Sequence, residues 1–377
     1  MLLGKTNLLV LGLAGVLAMP VPAVARQRHA PRRAAAKRHH PTRPHRRARR
    51  RTRVHVVRAA GPAAADAPIL GRTYYVSSDG SDSNSGLSPS QPWRTVDQVN
   101  RAHLAPGDGV LFAAGSTFAD DTLMPGWGTA VSGTPSAPVV VGSYGQGQAN
   151  LVKGIWTKNE SNLVFQHLHL GPEGGLSGSG SAITLQNSTI TGVVSDPSNT
   201  EFGIVTSGSG YTIRNNLIDR TGDSGMLLLG DHYLVQDNTI ANTGLDRAVT
   251  WGAHGIYLKA ADSTVIGNTI TGFHNEGVSV RYRNSRVEDN TISGGEYGIA
   301  WHQYDDATGT SLWTDNKISD TSILAIYVSR HDIGGYTHEN FKITGNAITA
   351  PSPRGGWLAF ELDAPSSLFS LSANTIQ

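Results

Sequence analysis

From Ile183 to the C-terminus, short apolar stretches alternate with a recurring phrase of Asn, one or two further residues and Ile. Successive phrases begin 22 to 30 residues apart. Self-similarity at this period predicts stacked repeats, each contributing one coil to a solenoid. The phrases begin at Asn187, Asn216, Asn238, Asn268, Asn290, Asn316, Asn346 and Asn374.

A second apolar strand precedes most of the Asn phrases, and it usually opens with Gly. Its residues alternate in hydrophobicity, which predicts that Ile256 and Leu258 point inward and that Tyr257 and Lys259 point outward. The recurrent Asn is predicted to form an internal ladder, with each amide bonded to the coils above and below. The strand openings are Gly203, Gly225, Gly255, Gly277, Gly298, Ala325 and, less regularly, Trp357.

The N-terminal part of the repeat region has the pattern of a cap. Residues 73–76 are predicted to form a strand, and a turn-rich run follows them. Thr95 with Gln98 matches a capping box for a short helix. Pro106 is expected to end that helix, and a strand follows at 110–112. A helix here would cover one end of the stack, as terminal repeats require.

The first 68 residues have a different composition. An apolar run, too short to span a bilayer, ends at Ala23-Val-Ala25, which predicts a signal peptide over residues 1–25 and an exported protein. Residues 26–58 contain 14 Lys or Arg and no acidic residue, so residues 26–68 are expected to be a disordered linker. This basic arm either contacts an anionic cell-wall polymer or serves as a solvated spacer. No transmembrane segment and no specific nucleic-acid reader are recognised.

The charge of the chain is unevenly distributed. The overall net charge is +2, but residues after Arg58 hold 16 basic and 29 acidic side chains, a net charge near −13. Cysteine is absent, so an exported domain at 69–377 must be stabilised by packing without disulfides.

Three cationic side chains are predicted to line up on the outside of consecutive coils. Lys259, Arg281 and His302 each occupy the fourth position after the Gly of their strand. Parallel strands lie about 4.8 Å apart, which places the Lys and His backbones about 10 Å apart with Arg between them. Stacked like charges repel, so either an internal carboxylate or a bound anionic substrate should offset them.

This column suits β-elimination on a uronate-containing glycan. A base removes the proton next to the carboxylate, cations stabilise the enolate-like charge, and an acid assists the leaving sugar. Lys259 becomes a base if its pKa falls, and the neighbouring Arg281 favours that fall. Arg281 also matches a carboxylate in shape. His302 and Tyr257 are the alternative proton donors.

The opening of the domain resembles many right-handed parallel β-helix proteins of the pectate-lyase-like superfamily. The resemblance rests on Tyr-Tyr-Val at 74–76, the turn-rich run, Pro-Trp-Arg-Thr at 92–95, the helix and Pro-Gly-Asp at 106–108. It implies an all-β, right-handed parallel β-helix over 69–377, with an N-terminal cap at 69–118 that includes a short capping helix. It also implies activity on acidic polysaccharides, although adhesins and tailspikes share this architecture.

The layout of Lys259 and Gly277-Val-Ser-Val-Arg281 is similar to polysaccharide lyase family six, which includes alginate lyases and dermatan-cleaving chondroitinases. The resemblance implies a Lys base and a charge-stabilising Arg one coil apart. The acidic calcium ligands of that family are replaced here by Trp251-Gly-Ala-His254, and its His-Gly after the Arg by Tyr282-Arg283. Calcium is therefore not expected through those ligands, although calcium held by other ligands stays an open alternative. Either Arg283 or His254 replaces the charge of the metal, or the activity differs.

Further side chains are candidates for binding a substrate. His254, Glu276 and Tyr297 each stand immediately before a strand in successive coils. This alignment predicts either a metal or acid/base site, or polar side chains stacked at a turn without a function of their own. Two alternatives to a lyase remain: a glycoside hydrolase with two carboxylates about 5 to 9 Å apart, and a non-catalytic glycan-binding protein. The candidate carboxylates for a hydrolase are Asp305, Asp306, Glu276, Asp262 and Glu361. The predicted substrate-binding residues are Arg283, His254, Glu276, Tyr297, Trp301 and Tyr304.

Overall fold

The computed structural model describes residues 64–125, 131–194, 201–246, 252–304, 308–329, 339–351 and 357–377. The predicted signal peptide and nearly all of the predicted linker lie outside these residues. In the described part of the chain, no helix is long and apolar enough to cross a membrane.

Three long parallel sheets run along the stack, and most coils contribute one strand to each sheet. Sheet A has strands Thr73–Val76, Gly109–Ala113, Val139–Tyr144, Leu163–Gln166, Thr184–Gln186, Thr212–Arg214, Leu234–Gln236, Thr264–Ile266, Arg286–Glu288, Thr310–Thr314, Asn340–Thr344 and Phe369–Ser372. Sheet B has strands Thr117–Phe118, Ala149–Leu151, Leu168–Leu170, Thr189–Thr191, Leu217–Asp219, Thr239–Ala241, Thr269–Thr271, Thr291–Ser293, Lys317–Ser319, Ala347–Thr349 and Thr375–Ile376. Sheet C has strands Ile155–Ser161, Leu176–Ser181, Ile204–Ser209, Met226–Asp231, Ile256–Ala261, Glu276–Val280, Tyr297–Trp301, Leu324–Val328 and Leu358–Leu362. This is the predicted parallel β-helix.

The Asn phrase forms the predicted internal ladder. Asn268 Nδ2 donates to Asn290 Oδ1 at 3.0 Å and to the carbonyl of Val235 at 2.9 Å. The same pair of bonds recurs at the equivalent Asn of each coil from 216 to 346, and all of these bonds join neighbouring coils. Each amide thus satisfies backbone groups that the turn between sheets A and B leaves unpaired.

The first phrase is an exception, and it corrects the prediction that all eight Asn residues are equivalent. Asn187 has a φ of 50°, so it occupies the left-handed turn position one residue earlier. Ser188 stands at the ladder position, where its N–H donates to Asn216 Oδ1. Asn tolerates the left-handed region better than most residues, which explains its place in the turn.

In five consecutive coils, a Gly at or just before the start of the sheet C strand faces the Ile of an Asn phrase. A Cβ on Gly277 would lie 2.5 Å from Ile292 Cγ2 and 2.7 Å from the carbonyl oxygen of Gly298. Gly255 meets Ile270 in the same way, at 2.4 Å. The two repeated motifs therefore pack on each other where the chain turns from sheet B to sheet C.

The N-terminal cap is close to the prediction. The helix spans Val96–Asn100, and the Thr95 side chain accepts from the backbone N–H of Gln98, as the capping box requires. Val96 and Val99 are buried in the core with the first strands. The helix ends at Asn100, several residues before Pro106, so the predicted end was too late.

The boundary between linker and domain lies earlier than the predicted residue 69. Ala64 exchanges two hydrogen bonds with the side-chain amide of Asn187, and Ala67 exchanges two with that of Gln166. Asp66 contacts His167 Nε2 at 2.6 Å. Residues 64–67 therefore form an ordered strap on the outer side of sheet A.

In the repeats from Ile155 onward, the longer connections between strands enter or leave sheet C. Residues 192–203 and 242–255 lead into it, and residues 302–309 and 329–339 lead out of it. The passage from sheet A to sheet B takes one residue at His167 and two residues in later coils, as at 237–238. Since loops on a rigid scaffold commonly carry function, a functional site is expected along sheet C.

Candidate functional site

Lys259, within the strand Ile256–Ala261, lies beside Arg281 and His302, which directly follow the next two strands of sheet C. In the strand register, Leu258 pairs with Val280 and Val280 with Trp301. The backbone N–H of Arg281 donates to the carbonyl of Leu258, and that of His302 donates to the carbonyl of Val280, each at 3.0 Å. These bonds extend the ladder by one residue, so the repeat period predicted this column correctly.

An internal carboxylate offsets the charge of the column. Glu276 is 3% exposed, and its Oε1 lies 2.8 Å from His302 Nε2. Its Oε2 lies 3.4 Å from His254 Nδ1 and 3.9 Å from an Arg281 guanidinium nitrogen. Of the two possibilities raised by the sequence, a buried carboxylate or a bound anion, the first is present.

Glu276 is ionised despite its burial. Burial opposes the charge, but the hydrogen bond from His302 and the positive charge of its neighbours outweigh it and lower the pKa of Glu276 to about 2. His254 is in the opposite state. Burial is the main cause that lowers the pKa of His254 to about 4, so its ring is neutral at physiological pH.

Two tyrosines stand beside the cations. Lys259 Nζ lies 4.5 Å from the ring centroid of Tyr257 and 5.4 Å from that of Tyr304. Arg281 Cζ lies 5.0 Å and 5.3 Å from the same two centroids. These are cation–π distances, and the ring faces stabilise two like charges held close together.

Lys259 is half-buried, and its surroundings favour the neutral amine. Burial is the largest cause that lowers the pKa of Lys259, and the positive charge of Arg281 acts in the same direction. Burial raises the pKa of Tyr304, and a hydrogen bond with Tyr257 adds to that rise. The site therefore holds a Lys that is easier to deprotonate than usual beside a tyrosine that keeps its proton.

Four buried polar atoms at the centre of the site have no hydrogen-bond partner in the described part of the chain. They are Nε of Arg281, Oγ of Ser279, Oε2 of Glu276 and Nδ1 of His254. Ser279 pairs in register with Tyr257 and lies between it and Ala300. An orphaned donor of this kind is costly unless a water or a ligand satisfies it. Ser279 was not predicted as a site residue; only the register points to it.

Several predicted substrate-binding residues are placed differently from the expectation. Trp301 is fully buried and packs edge-on against Phe341 with centroids 5.2 Å apart, so it belongs to the core and cannot stack on a substrate. His254 is 2% exposed, so it and Glu276 act through their neighbours rather than by contact. The burial of these three side chains argues against direct binding: Trp301 follows the inward alternation of its strand, and the cover over His254 and Glu276 comes from neighbours in space.

The remaining candidates lie at the edge of the cluster. Tyr297 pairs in register with Glu276, and its ring lies 5.6 Å from that of Tyr327. Arg283 follows the column in the turn toward sheet A, where its carbonyl accepts from the N–H of Asp262. Tyr304 is 41% exposed and lies on the side of the cluster that faces solvent.

The residues of this site do not fit calcium. Calcium takes six to eight oxygen ligands, whereas this cluster offers one carboxylate, two imidazoles and a guanidinium. The Arg281 charge also lies next to the free carboxylate oxygen. Across the described residues, no three His, Asp or Glu side chains converge as a metal site would require.

Comparison with known proteins supports the fold and, locally, a link to carbohydrate-active proteins. Residues 202–361, which include the whole cluster, match the family described as right handed beta helix region. The chain is therefore a right-handed parallel β-helix. A stretch of 122 residues is 34% identical to lacto-N-biosidase of Bifidobacterium longum subsp. longum, covering 29% of this chain and 7% of that protein.

Two solved structures have the same architecture. A GH136 lacto-N-biosidase from Eubacterium ramulus is 16% identical with a TM-score of 0.53, covering 81% of this chain and 68% of the other. An endo-xylogalacturonan hydrolase from Aspergillus tubingensis is 12% identical with a TM-score of 0.50, covering 81% and 92%. At these identities the likeness concerns the fold alone.

Proposed function

We propose that this protein is an exported polysaccharide lyase that cleaves a uronate-containing glycan by β-elimination. The observation that carries the proposal is the half-buried amine of Lys259, held against the Tyr257 ring with Arg281 beside it. Burial and the Arg281 charge lower the pKa of that amine. A lysine can serve as a general base only when its pKa approaches the working pH.

The charge of the cluster admits an acidic substrate. With Lys259 as the neutral base, the ionised carboxylate of Glu276 is balanced by the guanidinium of Arg281, and His254 is neutral. The cluster therefore lacks the excess negative charge of the rest of the domain, which would repel a uronate. A uronate carboxylate entering from the Tyr304 side would meet the buried and unsatisfied Nε of Arg281.

The residues then take the following roles. Lys259 Nζ accepts the proton from the carbon next to the carboxylate, and Arg281 stabilises the negative charge that develops there. The bond to the 4-linked oxygen breaks as the new carbon–carbon double bond forms. The leaving oxygen takes a proton from either His302 or Tyr257.

Glycoside hydrolysis is the second candidate, and the local identity with lacto-N-biosidase favours it. Hydrolysis requires two carboxylates about 5 to 9.5 Å apart. Glu361 is not such a partner for Glu276, because their backbones are three strands apart in sheet C, about 14 Å. Asp262, another candidate carboxylate, accepts a hydrogen bond from Asn284 Nδ2 in the turn after the Lys259 strand. The remaining candidates, Asp305 and Asp306, lie outside the described residues.

One experiment separates the candidates. The purified chain is incubated with alginate, pectate, glucuronan and dermatan, and with a lacto-N-bioside, while unsaturated uronate and reducing ends are followed. A lyase produces both signals together on a uronate polymer. Reducing ends without unsaturated product would replace the lyase proposal by a hydrolase, and binding without either signal would replace it by a glycan-binding protein.

A further inference from the structure

The hydrogen bond between Glu276 and His302 fixes where the imidazole carries its proton. Oε1 of Glu276 and Nε2 of His302 are 2.8 Å apart. A carboxylate that is ionised can only accept, so Nε2 must be the donor. The same contact leaves Nδ1 as the ring nitrogen that is available for chemistry.

The other oxygen of the carboxylate has no hydrogen-bond partner among the described residues, but two side-chain nitrogens lie near it. Its Oε2 lies 3.4 Å from His254 Nδ1 and 3.9 Å from the Arg281 guanidinium. The His254 ring packs on Tyr257 with centroids 4.6 Å apart. With 3% exposure, Glu276 is a group that can orient a neighbour but cannot reach a glycan.

His302, in contrast, is reachable. Its side chain is 19% exposed, and its ring packs edge-on against Tyr327 at 5.5 Å. The ring is therefore held by Tyr327 on one side and by Glu276 at Nε2. Among the imidazoles of the cluster, His254 is closed off at 2% exposure, so His302 is the one placed to exchange a proton with a ligand.

We infer that Glu276 is a positioning residue, which holds His302 in the Nε2–H form and presents its Nδ1 as the proton donor to the leaving oxygen. The donor role rests on the proposed lyase function and decides between His302 and Tyr257. Nδ1–H of the imidazolium gives its proton to the departing oxygen while Lys259 keeps the proton taken from carbon. The ring is left neutral, with its hydrogen on Nε2.

The tautomer is tested on the wild-type chain without any assay of activity. In protein labelled with ¹⁵N at histidine, two-bond correlations between ring protons and nitrogens show which nitrogen carries hydrogen. The His302 signals are identified by their loss in His302→Gln. We expect Nε2 protonated and Nδ1 bare when the ring is neutral, and a neutral ring that carries its hydrogen on Nδ1 would overturn the inference.

The positioning role is tested by Glu276→Gln, whose amide can donate as well as accept. We expect the single tautomer to be lost, and kcat to fall about 100-fold, the size of a general acid contribution, with KM changed less than about twofold. The control is Glu288→Gln, a carboxylate paired with Arg286 on sheet A, which should leave both readouts unchanged.

The outcomes distinguish this inference from the proposed function. An unchanged tautomer together with an unchanged kcat in Glu276→Gln would overturn the positioning role. A rise in KM alone would assign Glu276 to substrate binding, and this result would overturn the positioning role as well. Absence of unsaturated product from the wild type would refute the lyase and with it the donor role. The tautomer measurement would still decide whether Glu276 positions His302.

Discussion

Nζ of Lys259 lies 4.5 Å from the centre of the Tyr257 ring, and the two side chains project from the same strand of sheet C. Residues two apart on a strand share a face, so the contact follows from the alternation of the strand. The ring replaces water on one side of the amine. This contact combines a favourable cation–π interaction with the desolvation that favours the neutral base.

The first prediction concerns the pH dependence of turnover. Lys259 must be neutral to act as a base, so kcat/KM should rise with pH through the lowered pKa of this lysine. Arg281 contributes to the lowering, so Arg281→Gln should raise that pKa and move the ascending limb to higher pH, besides reducing the rate. The measurement is kcat/KM against pH for both proteins.

Arg286→Gln is the matched control for this shift, because Arg286 is exposed on sheet A and pairs with Glu288. Its profile should coincide with that of the wild type. An ascending limb in Arg281→Gln that stays in place or moves to lower pH would show that another group titrates.

The second prediction concerns stability in acid. The folded state keeps His254 neutral with its pKa lowered to about 4 from an ordinary 6.5. Between these values the unfolded chain binds a proton that the folded chain does not, so the free energy of unfolding falls as pH decreases from 6.5 to 4. The upper limit of this loss is about 3 kcal/mol. Denaturant unfolding of wild type and His254→Gln across this range measures it.

His254→Gln should lose less stability than the wild type over this interval, while His274→Gln, an exposed histidine, should behave like the wild type. Glu276 causes a separate loss of unfolding free energy at lower pH. Its lowered pKa stabilises the folded state above pH 4.5, and this contribution disappears as the pH falls toward 2. Identical pH slopes for His254→Gln and wild type would argue against a buried neutral imidazole.

The third prediction concerns the asparagine ladder. Asn290 donates to Asn316 Oδ1 and to the Val265 carbonyl, and it accepts from Asn268. Asn290→Ala leaves these buried groups unsatisfied, which should cost about 3 kcal/mol of unfolding free energy. Thr291→Ala, the next residue and exposed on sheet B, should change it by less than about 0.5 kcal/mol. Equal effects of the two substitutions in denaturant unfolding would contradict the ladder.

The architecture was predictable because two motifs repeat with one coil as their period. The Asn ladder and the Gly–Ile contact each join residues of the same coil or of neighbouring coils. The number of residues between repeats therefore predicted that Lys259, Arg281 and His302 lie in register. Ser188 was missed because the turn before it accepts Asn in the left-handed region, which moves the ladder position by one residue.

The depth of the site and the strap could not be predicted. Alternation placed Arg281 outward, but whether an outward side chain is covered depends on its neighbours in space; Arg281 is 8% exposed. The strap binds Ala64 and Ala67 through side chains about 100 residues away or more, a pairing without local signature. Glu276 was recognised as a candidate, but its contacts with His302 and His254 required the structure.

The base assignment is tested most directly by Lys259→Ala, assayed for unsaturated uronate on the polymer that the wild type cleaves. The matched control is Lys342→Ala, an exposed lysine on sheet A, with circular dichroism to verify folding. We expect Lys259→Ala to be folded and at least about 100-fold slower, the loss typical of removing a general base, while Lys342→Ala keeps the wild-type rate. A folded Lys259→Ala that turns over at the wild-type rate would contradict the assignment.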